Sequence, residues 1–340
     1  MSISEFAAQD GFPVEYGHGL FDGLGDRLGA TVVVMQPNPW ELIKERFGTP
    51  PRLVIEALEL SPAALDDLAA SIPGNVTIVG VGGGSAMDVA KWLRWKTQLP
   101  LIQVPTLASV DACFTRMSAI RNDNKVSYQG DAVPERVLVD YRILQEAPSR
   151  FISAGIGDVL SCHTAYADWE MASKLGKSIP WNAAAAQASL RYMDVLESVA
   201  PEIAKQSTVG IKTLMELYRE NGWLSHEVGH ARFEEGSEHF FAYTFENVTG
   251  RTILHGELVT MGVLMIAALT GNDYQRVKSI VQRARTLHKP EDVGITSREI
   301  EETLYAMKEF SIAQDYWYSW AHVLEIGKAE VAEALKALDF

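Results

Sequence analysis

The chain holds only two cysteines, Cys113 and Cys162, among 340 residues. That is too few for a disulfide framework and fits a reducing compartment. No apolar run approaches the ~18 uninterrupted residues of a membrane span, and Met1–Gly11 shows no basic stretch leading into an apolar one. A cytoplasmic location is therefore expected. Basic residues are also short, 30 Lys and Arg against 44 Asp and Glu, for a formal net charge of -14. Such a field repels phosphodiester backbones and anionic lipid, which excludes nucleic acid and membrane surface as the main partner. A small-molecule substrate remains, because a local pocket can oppose the global sign. Fixed-period repeats and low-complexity tracts are absent as well.

What is present is the composition of a globular protein, 47% hydrophobic and 22% charged, long enough for two domains. From Thr31 to Val139, short β-branched runs alternate with helical stretches, the pattern of a parallel sheet with crossover helices. The strands are expected at Thr31–Met35, Leu53–Ala57, Val76–Val81, Leu101–Val104 and Val137–Val139. Helical spacing falls on Trp40–Phe47, on Ser61–Ser71 with Ser61 as N-cap and Pro62 at the first helical position, and on Ser85–Lys96. After Pro148 the spacing turns to 3.6 residues almost to Phe340. The expected fold is an N-terminal Rossmann-like α/β domain, residues 1–147, and an all-α domain, residues 148–340, divided at Ala147-Pro148-Ser149. The active site is expected in the cleft between the halves. Association into a homo-oligomer stays open.

Two constellations carry chemistry. The first is Val76-Thr-Ile-Val-Gly80-Val-Gly82-Gly83-Gly84-Ser85, a buried strand running through three glycines into a helix. Glycines let backbone N–H groups approach a pyrophosphate, and the positive end of the helix adds attraction. The spacing matches neither the Gly-x-Gly-x-x-Gly nor the Walker fingerprint, so a plain strand-to-helix turn stays open, with Asp88 an ordinary first-turn acid and Lys91 a solvated lysine. The second is Asp158, His239 and His255, one carboxylate and two imidazoles on different predicted helices, each of which taken alone also reads as an ordinary helix residue. Three ligands leave a coordination position open, as a catalytic metal requires.

The ordered motifs Gly82-Gly-Gly-Ser-Ala-Met-Asp88-x-x-Lys91, Pro105-Thr106-Leu-Ala-Ser109-Val-Asp111, Pro148-x-Arg150-x4-Gly155-x-Gly157-Asp158, Gly236-Ser-Glu-His239 and His255-Gly-Glu257 resemble the glycerol-1-phosphate dehydrogenase branch of the glycerol dehydrogenase and iron-containing alcohol dehydrogenase superfamily. The resemblance covers most of the chain and implies a dehydroquinate synthase-like fold. It also implies that Gly82, Gly83, Gly84 and Ser85 cradle the pyrophosphate of NAD or NADP. Asp88 would stand at the family's helix-start acid, and Thr106, Ser109 and Thr115 would line the rest of the cofactor site. Asp111 would contact substrate, and Asp158, His239 and His255 would hold one divalent metal, zinc first, with iron or nickel open. The implied reaction is reversible oxidoreduction of a small polyol or hydroxyketone, glycerol 1-phosphate and dihydroxyacetone phosphate being the first pair to test. A cyclase or lyase of the dehydroquinate synthase type, a dehydrogenase for a non-phosphorylated alcohol and a non-catalytic metabolite sensor are the alternatives.

The chain departs from that pattern at two places. Tyr243 stands where the family's helix carries a second, substrate-contacting histidine, and Phe233-Glu234-Glu235 replaces a small Pro/Ser-containing run. Tyr243 lies one turn after His239 and reads equally as a hydrogen-bond donor to substrate or as a packing aromatic. After the first strand, Met35-Gln36-Pro37-Asn38 offers no acid to bind ribose hydroxyls or repel a 2'-phosphate, so NADPH is expected to be accepted.

Other features are read as structural. His226-Glu227-Val-Gly229-His230 matches the zincin pattern, but Gly229 weakens the helix that the pattern requires. Cys162 and His163 read as helix packing, Tyr316-Trp317-Tyr318-Trp320 as aromatic packing, and Glu299, Glu301 and Glu302 as a solvated face.

Overall fold

A computed structural model describes residues 11–58, 61–122 and 125–340. The chain divides into two units. One comprises the described residues up to Pro148 together with Tyr218–Trp223, and the other comprises Ser149–Leu217 and Leu224–Phe340.

Among its described residues the first unit holds eight strands: β1 Val14–Gly17, β2 Thr31–Met35, β3 Leu53–Glu56, β4 Thr77–Gly82, β5 Leu101–Pro105, β6 Ser118–Asn122, β7 Lys125–Gln129 and β8 Arg136–Asp140. Six of them form a parallel sheet in the order β1-β8-β5-β4-β2-β3, and β6 and β7 pair as an antiparallel hairpin. The central strands are near-continuous apolar runs because both faces of a parallel sheet are covered. Val32, Val33, Val34, Ile78, Val79 and Val81 have no exposed surface. Val33 pairs with Val79 in the register that joins β2 to β4. Phe21, Trp40, Ile43 and Phe47 pack on one face, with Val33, Val79, Val81, Val104 and Leu138.

One local expectation shifts. The helix foreseen at Trp40–Phe47 runs over Pro37–Ile43, because Pro37 presets the first helical turn, and it tightens into a 3-10 turn at Lys44–Arg46. The Ser61 hydroxyl does cap the helix Pro62–Ser71, accepting from the Ala64 N–H. Tyr218 and Arg219 belong to the first unit through hydrogen bonds to the Ala108 and Phe12 carbonyls.

The second unit is helical. Its centre is His255–Thr270, in which every residue from Gly256 to Ala267 is buried; a helix apolar around its whole circumference is a core helix. Ile156–Lys174, Ser237–Thr249, Tyr274–Ala284 and Lys328–Ala337 pack on it, with Ala183–Ala204 and Ser297–Ala313 packing on those helices in turn. Tyr274–Ala284 is the amphipathic counterpart, burying Val277, Ile280, Val281 and Ala284 at 3- and 4-residue spacing. Both cysteines are buried. Among the described residues, no helix is long and apolar enough to cross a membrane.

Glu299 belongs to no free solvated face. It closes a capping box with Thr296 and pairs with Arg251.

Candidate functional site

In the first unit, β4 delivers the chain into Gly82-Gly83-Gly84, and the helix Gly84–Thr97 begins there without a side-chain cap. Its first amides are therefore available to an anion, with the helix dipole behind them. A Cβ on Gly82 would stand 2.8 Å from the Ala86 Cβ, and one on Gly84 would stand 3.0 Å from Val110 Cγ2. The loop is thus as close to its surroundings as bare backbone allows. Gln36 already reaches it, its Oε1 accepting from the Gly83 N–H at 2.7 Å. Thr106, at the end of β5, is 2% exposed, and its hydroxyl has no partner among the described residues. A buried hydroxyl left in this way is what a bound dinucleotide would satisfy. Ser109 is buried beside it in sequence, and Asp111 precedes the 3-10 turn Ala112–Phe114.

Asp88 and Thr115 both turn to Lys91, which is fully buried rather than solvated. The Lys91 ammonium lies 2.9 Å from Asp88 Oδ1 and donates to the Thr115 hydroxyl at 2.6 Å and to the Met117 carbonyl at 2.5 Å.

The second unit brings Asp158, His239 and His255 together, one ligand atom from each lying within 4.8 Å of the others. All three stand in the first turns of separate helices: Asp158 in Ile156–Lys174, His239 in Ser237–Thr249 and His255 at the head of His255–Thr270. Positive helix ends repel a cation, and each of these turns carries an acid that offsets the repulsion, Asp158, Glu238 and Glu257. The helices meet closely because glycines permit it. A Cβ on Gly157 would run into the Gly256 carbonyl, and one on Gly262 would stand 2.6 Å from the Glu238 carbonyl oxygen.

The two histidine ligands are held from behind. Arg150 donates to both Glu257 oxygens, at 2.6 and 2.7 Å, fixing the turn that presents His255. Asp168 accepts from the Ser237 N–H at 2.7 Å and the Ser237 hydroxyl at 3.0 Å, which anchors the start of the His239 helix. Burial pushes the Asp168 carboxyl up, Arg232 opposes the rise and Glu238 adds to it. Burial also opposes a charged His239, but Glu238, with Glu235 and Asp158 beyond it, outweighs burial and holds the imidazole above its usual range. The site thus favours positive charge. One hard and two borderline donors with that polarity suit a divalent ion such as zinc.

Tyr243 closes the site from one side. Its ring lies 20° from parallel to His255 with centroids 6.3 Å apart, and its centroid is 6.0 Å from that of His239. Its hydroxyl donates to Glu235 Oε1 at 2.7 Å. No local signal in the sequence marks the Tyr243–Glu235 bond or the supports Arg150, Asp168 and Glu238. The last lay in plain sight beside His239, but its direction depends on a tertiary contact. Tyr316 stacks on Phe240 at 4.7 Å, and Trp317 packs against His230, so the C-terminal aromatics do pack helices.

The zincin-like run forms no such centre. The helix Thr208–Val228 ends at Gly229, whose φ of 77° is the left-handed conformation that suits glycine, so His230 falls outside the helix that carries His226. Among the described residues, Asp158, His239 and His255 are the group with metal-ligand spacing.

The family model of iron-containing alcohol dehydrogenases matches residues 49–148. The chain is 32% identical to the glycerol-1-phosphate dehydrogenase [NAD(P)+] of Methanosarcina mazei over 77% of its own length and 73% of that protein. It is 30% identical to the enzyme of the same name from Methanosarcina acetivorans over 85% of each. In three dimensions it is similar to glycerol dehydrogenase from Schizosaccharomyces pombe, with a TM-score of 0.71 at 22% identity over 97% of this chain and 90% of that one. It is also similar to the 2-epi-5-epi-valiolone synthase of Streptomyces hygroscopicus, solved with NAD+ and Zn2+ bound, with a TM-score of 0.66 at 15% identity over 97% of both chains. These structural likenesses concern the fold.

Proposed function

The chain belongs to the glycerol-1-phosphate dehydrogenase branch of the iron-containing alcohol dehydrogenase family, and from that membership we propose that it interconverts glycerol 1-phosphate and dihydroxyacetone phosphate with NAD or NADP and one divalent metal, zinc first. The observation that carries the reading is the gathering of Asp158, His239 and His255 at the heads of three helices, their ligand atoms within 4.8 Å of one another. When bound, the metal supplies Lewis acidity to the reacting alcohol or ketone oxygen and the nicotinamide serves as the two-electron carrier.

The chain's own residues prepare the reactants. The amides opening the helix Gly84–Thr97 receive the cofactor's pyrophosphate, with Gly82, Gly83, Gly84 and Ser85 leaving room for it. The Thr106 hydroxyl gains a partner when the dinucleotide arrives, and Ser109 extends the same wall. Asp111 orients a substrate hydroxyl. Asp158 contributes the one negative ligand. Tyr243 covers the two imidazoles and keeps water from the side of the site that it occupies. The working partner is a small molecule, handled in the cytoplasm, with neither nucleic acid nor membrane involved.

The test is oxidation of NADH and NADPH by zinc-loaded protein with dihydroxyacetone phosphate and with dihydroxyacetone, each with and without chelator. Chelator-sensitive turnover favouring the phosphate is expected. Turnover confined to the unphosphorylated ketone moves the substrate assignment, and turnover that survives both the chelator and Asp158→Asn removes the metal centre.

A further inference from the structure

The structure assigns to Glu238 the positioning of His239: its carboxylate fixes the imidazole with the proton on Nδ1 and so makes Nε2 the atom offered to the metal. The assignment rests on the metal-centre reading above.

Glu238 has no exposed surface. Its side chain folds back over the start of its own helix, where Oε1 accepts from the Gly236 N–H at 2.6 Å and lies 3.1 Å from His239 Nδ1. Oε2 accepts from the Thr164 hydroxyl at 2.7 Å. Thr164 stands on the Asp158 helix, and Gly262 of the His255 helix packs on the Glu238 backbone. One residue thus meets all three helices that carry ligands. An ionised carboxylate only accepts hydrogen bonds, so the ring nitrogen facing it must donate, and in the neutral ring that a metal requires the opposite nitrogen offers its lone pair. A carboxylate behind a ligating histidine also raises the ligand's basicity, and losing such a partner typically weakens metal binding about 10- to 100-fold.

The test compares zinc affinity, read by competition with a chromogenic chelator, in the full chain and in Glu238→Gln. Glutamine keeps the shape; with its carbonyl oxygen at the Oε1 place it still accepts from the Gly236 N–H, and its amide N–H2 at the Oε2 place donates to the Thr164 hydroxyl oxygen, so the change removes charge with little loss of packing. A zinc dissociation constant at least about tenfold higher is expected, with the melting temperature of the metal-free protein within a few degrees of wild type. Thr244→Val is the structural control. It deletes a buried hydroxyl that donates to the Phe240 carbonyl on the same helix, and should lower the melting temperature while leaving zinc affinity unchanged.

Nitrogen-15 shifts of His239 in the unaltered zinc-loaded chain decide the matter even if Glu238→Gln fails to fold. A protonated Nδ1 with zinc on Nε2 is expected, and the reverse overturns the assignment. Unchanged zinc affinity in Glu238→Gln overturns it too, and if Asp158→Asn has lost zinc in the same assay the metal centre itself stands. A wild-type chain that takes up no zinc overturns both readings.

Discussion

Lys91 and Asp88 form an ion pair 2.9 Å long with the lysine wholly removed from solvent. Asp88 also accepts from the Ala119 N–H at 3.2 Å, and Lys91 donates to the Met117 carbonyl, so the pair fastens the helix behind the glycine loop to the hairpin strand β6. Breaking a buried pair by removing one partner costs about 3 to 5 kcal/mol, because the other charge is left uncompensated. Lys91→Met is expected to lose stability in that range by urea unfolding, and adding Asp88→Asn should recover part of it. A loss under about 1 kcal/mol would mean that the pair contributes little.

Gln36 occupies the end of β2, where an acid would select against a 2'-phosphate. Its hydrogen bond to the Gly83 N–H places the side chain at the loop itself. Gln36→Asp is expected to shift the ratio of kcat/KM for NADH over NADPH about tenfold toward NADH, a difference of about 1.4 kcal/mol. Steady-state kinetics with both cofactors checks it, and an unchanged ratio removes Gln36 from cofactor choice.

Glu235 brings a carboxylate to the metal centre through Tyr243. Two unit charges about 4 Å apart in water-like surroundings interact by about 1 kcal/mol, so Glu235 weighs against a phosphorylated substrate. Glu235→Gln should raise kcat/KM for dihydroxyacetone phosphate relative to dihydroxyacetone by about fivefold. An equal ratio in variant and wild type would place the phosphate away from this residue.

His163 is 8% exposed, and its Nε2 lies 3.0 Å from the Asn272 carbonyl. Burial holds it below its usual value of 6.5. The unfolded chain therefore takes up a proton near pH 6.5 that the folded chain still refuses. Stability is intact above that pH and falls below it, by at most about 1.4 kcal/mol per pH unit from this residue. His163→Gln keeps a donor without the titration. Comparing urea midpoints at pH 7 and pH 5, the variant should lose less on acidification; equal losses would assign the slope to other groups, among them His230 and His322, which burial also lowers.

The β-branched runs made the sheet legible. Thr31–Met35 is a strand as expected, and Val76–Val81, Leu101–Val104 and Val137–Val139 lie within one or two residues of the observed bounds. β1 and the β6–β7 hairpin were not foreseen. Val-Glu-Tyr-Gly is a four-residue edge strand, and Ser-Ala-Ile-Arg-Asn is too polar to stand out, so pairing rather than pattern makes them strands. Tyr218–Trp223 joins the first unit from inside a continuous helix, where no break in periodicity marks it. The resemblance pointed to the metal triad. Sequence gave no warning of Arg150 meeting Glu257, 107 positions away, because a salt bridge between distant segments leaves no local trace.

The approach of Gly157 to the Gly256 carbonyl gives the metal centre a mechanical property. Each of these residues is the immediate chain neighbour of a ligand, Asp158 or His255. The gap between those two ligands is therefore gauged by main chain against main chain, which has no rotamers and little compressibility. A side chain can swing to suit a smaller ion, but two backbones already in contact cannot close further, and parting them for a larger one would disturb the core helix along its length. The centre should behave as a stiff gauge, its accommodation of ions of different radius left to side-chain rotation rather than to movement of the helices.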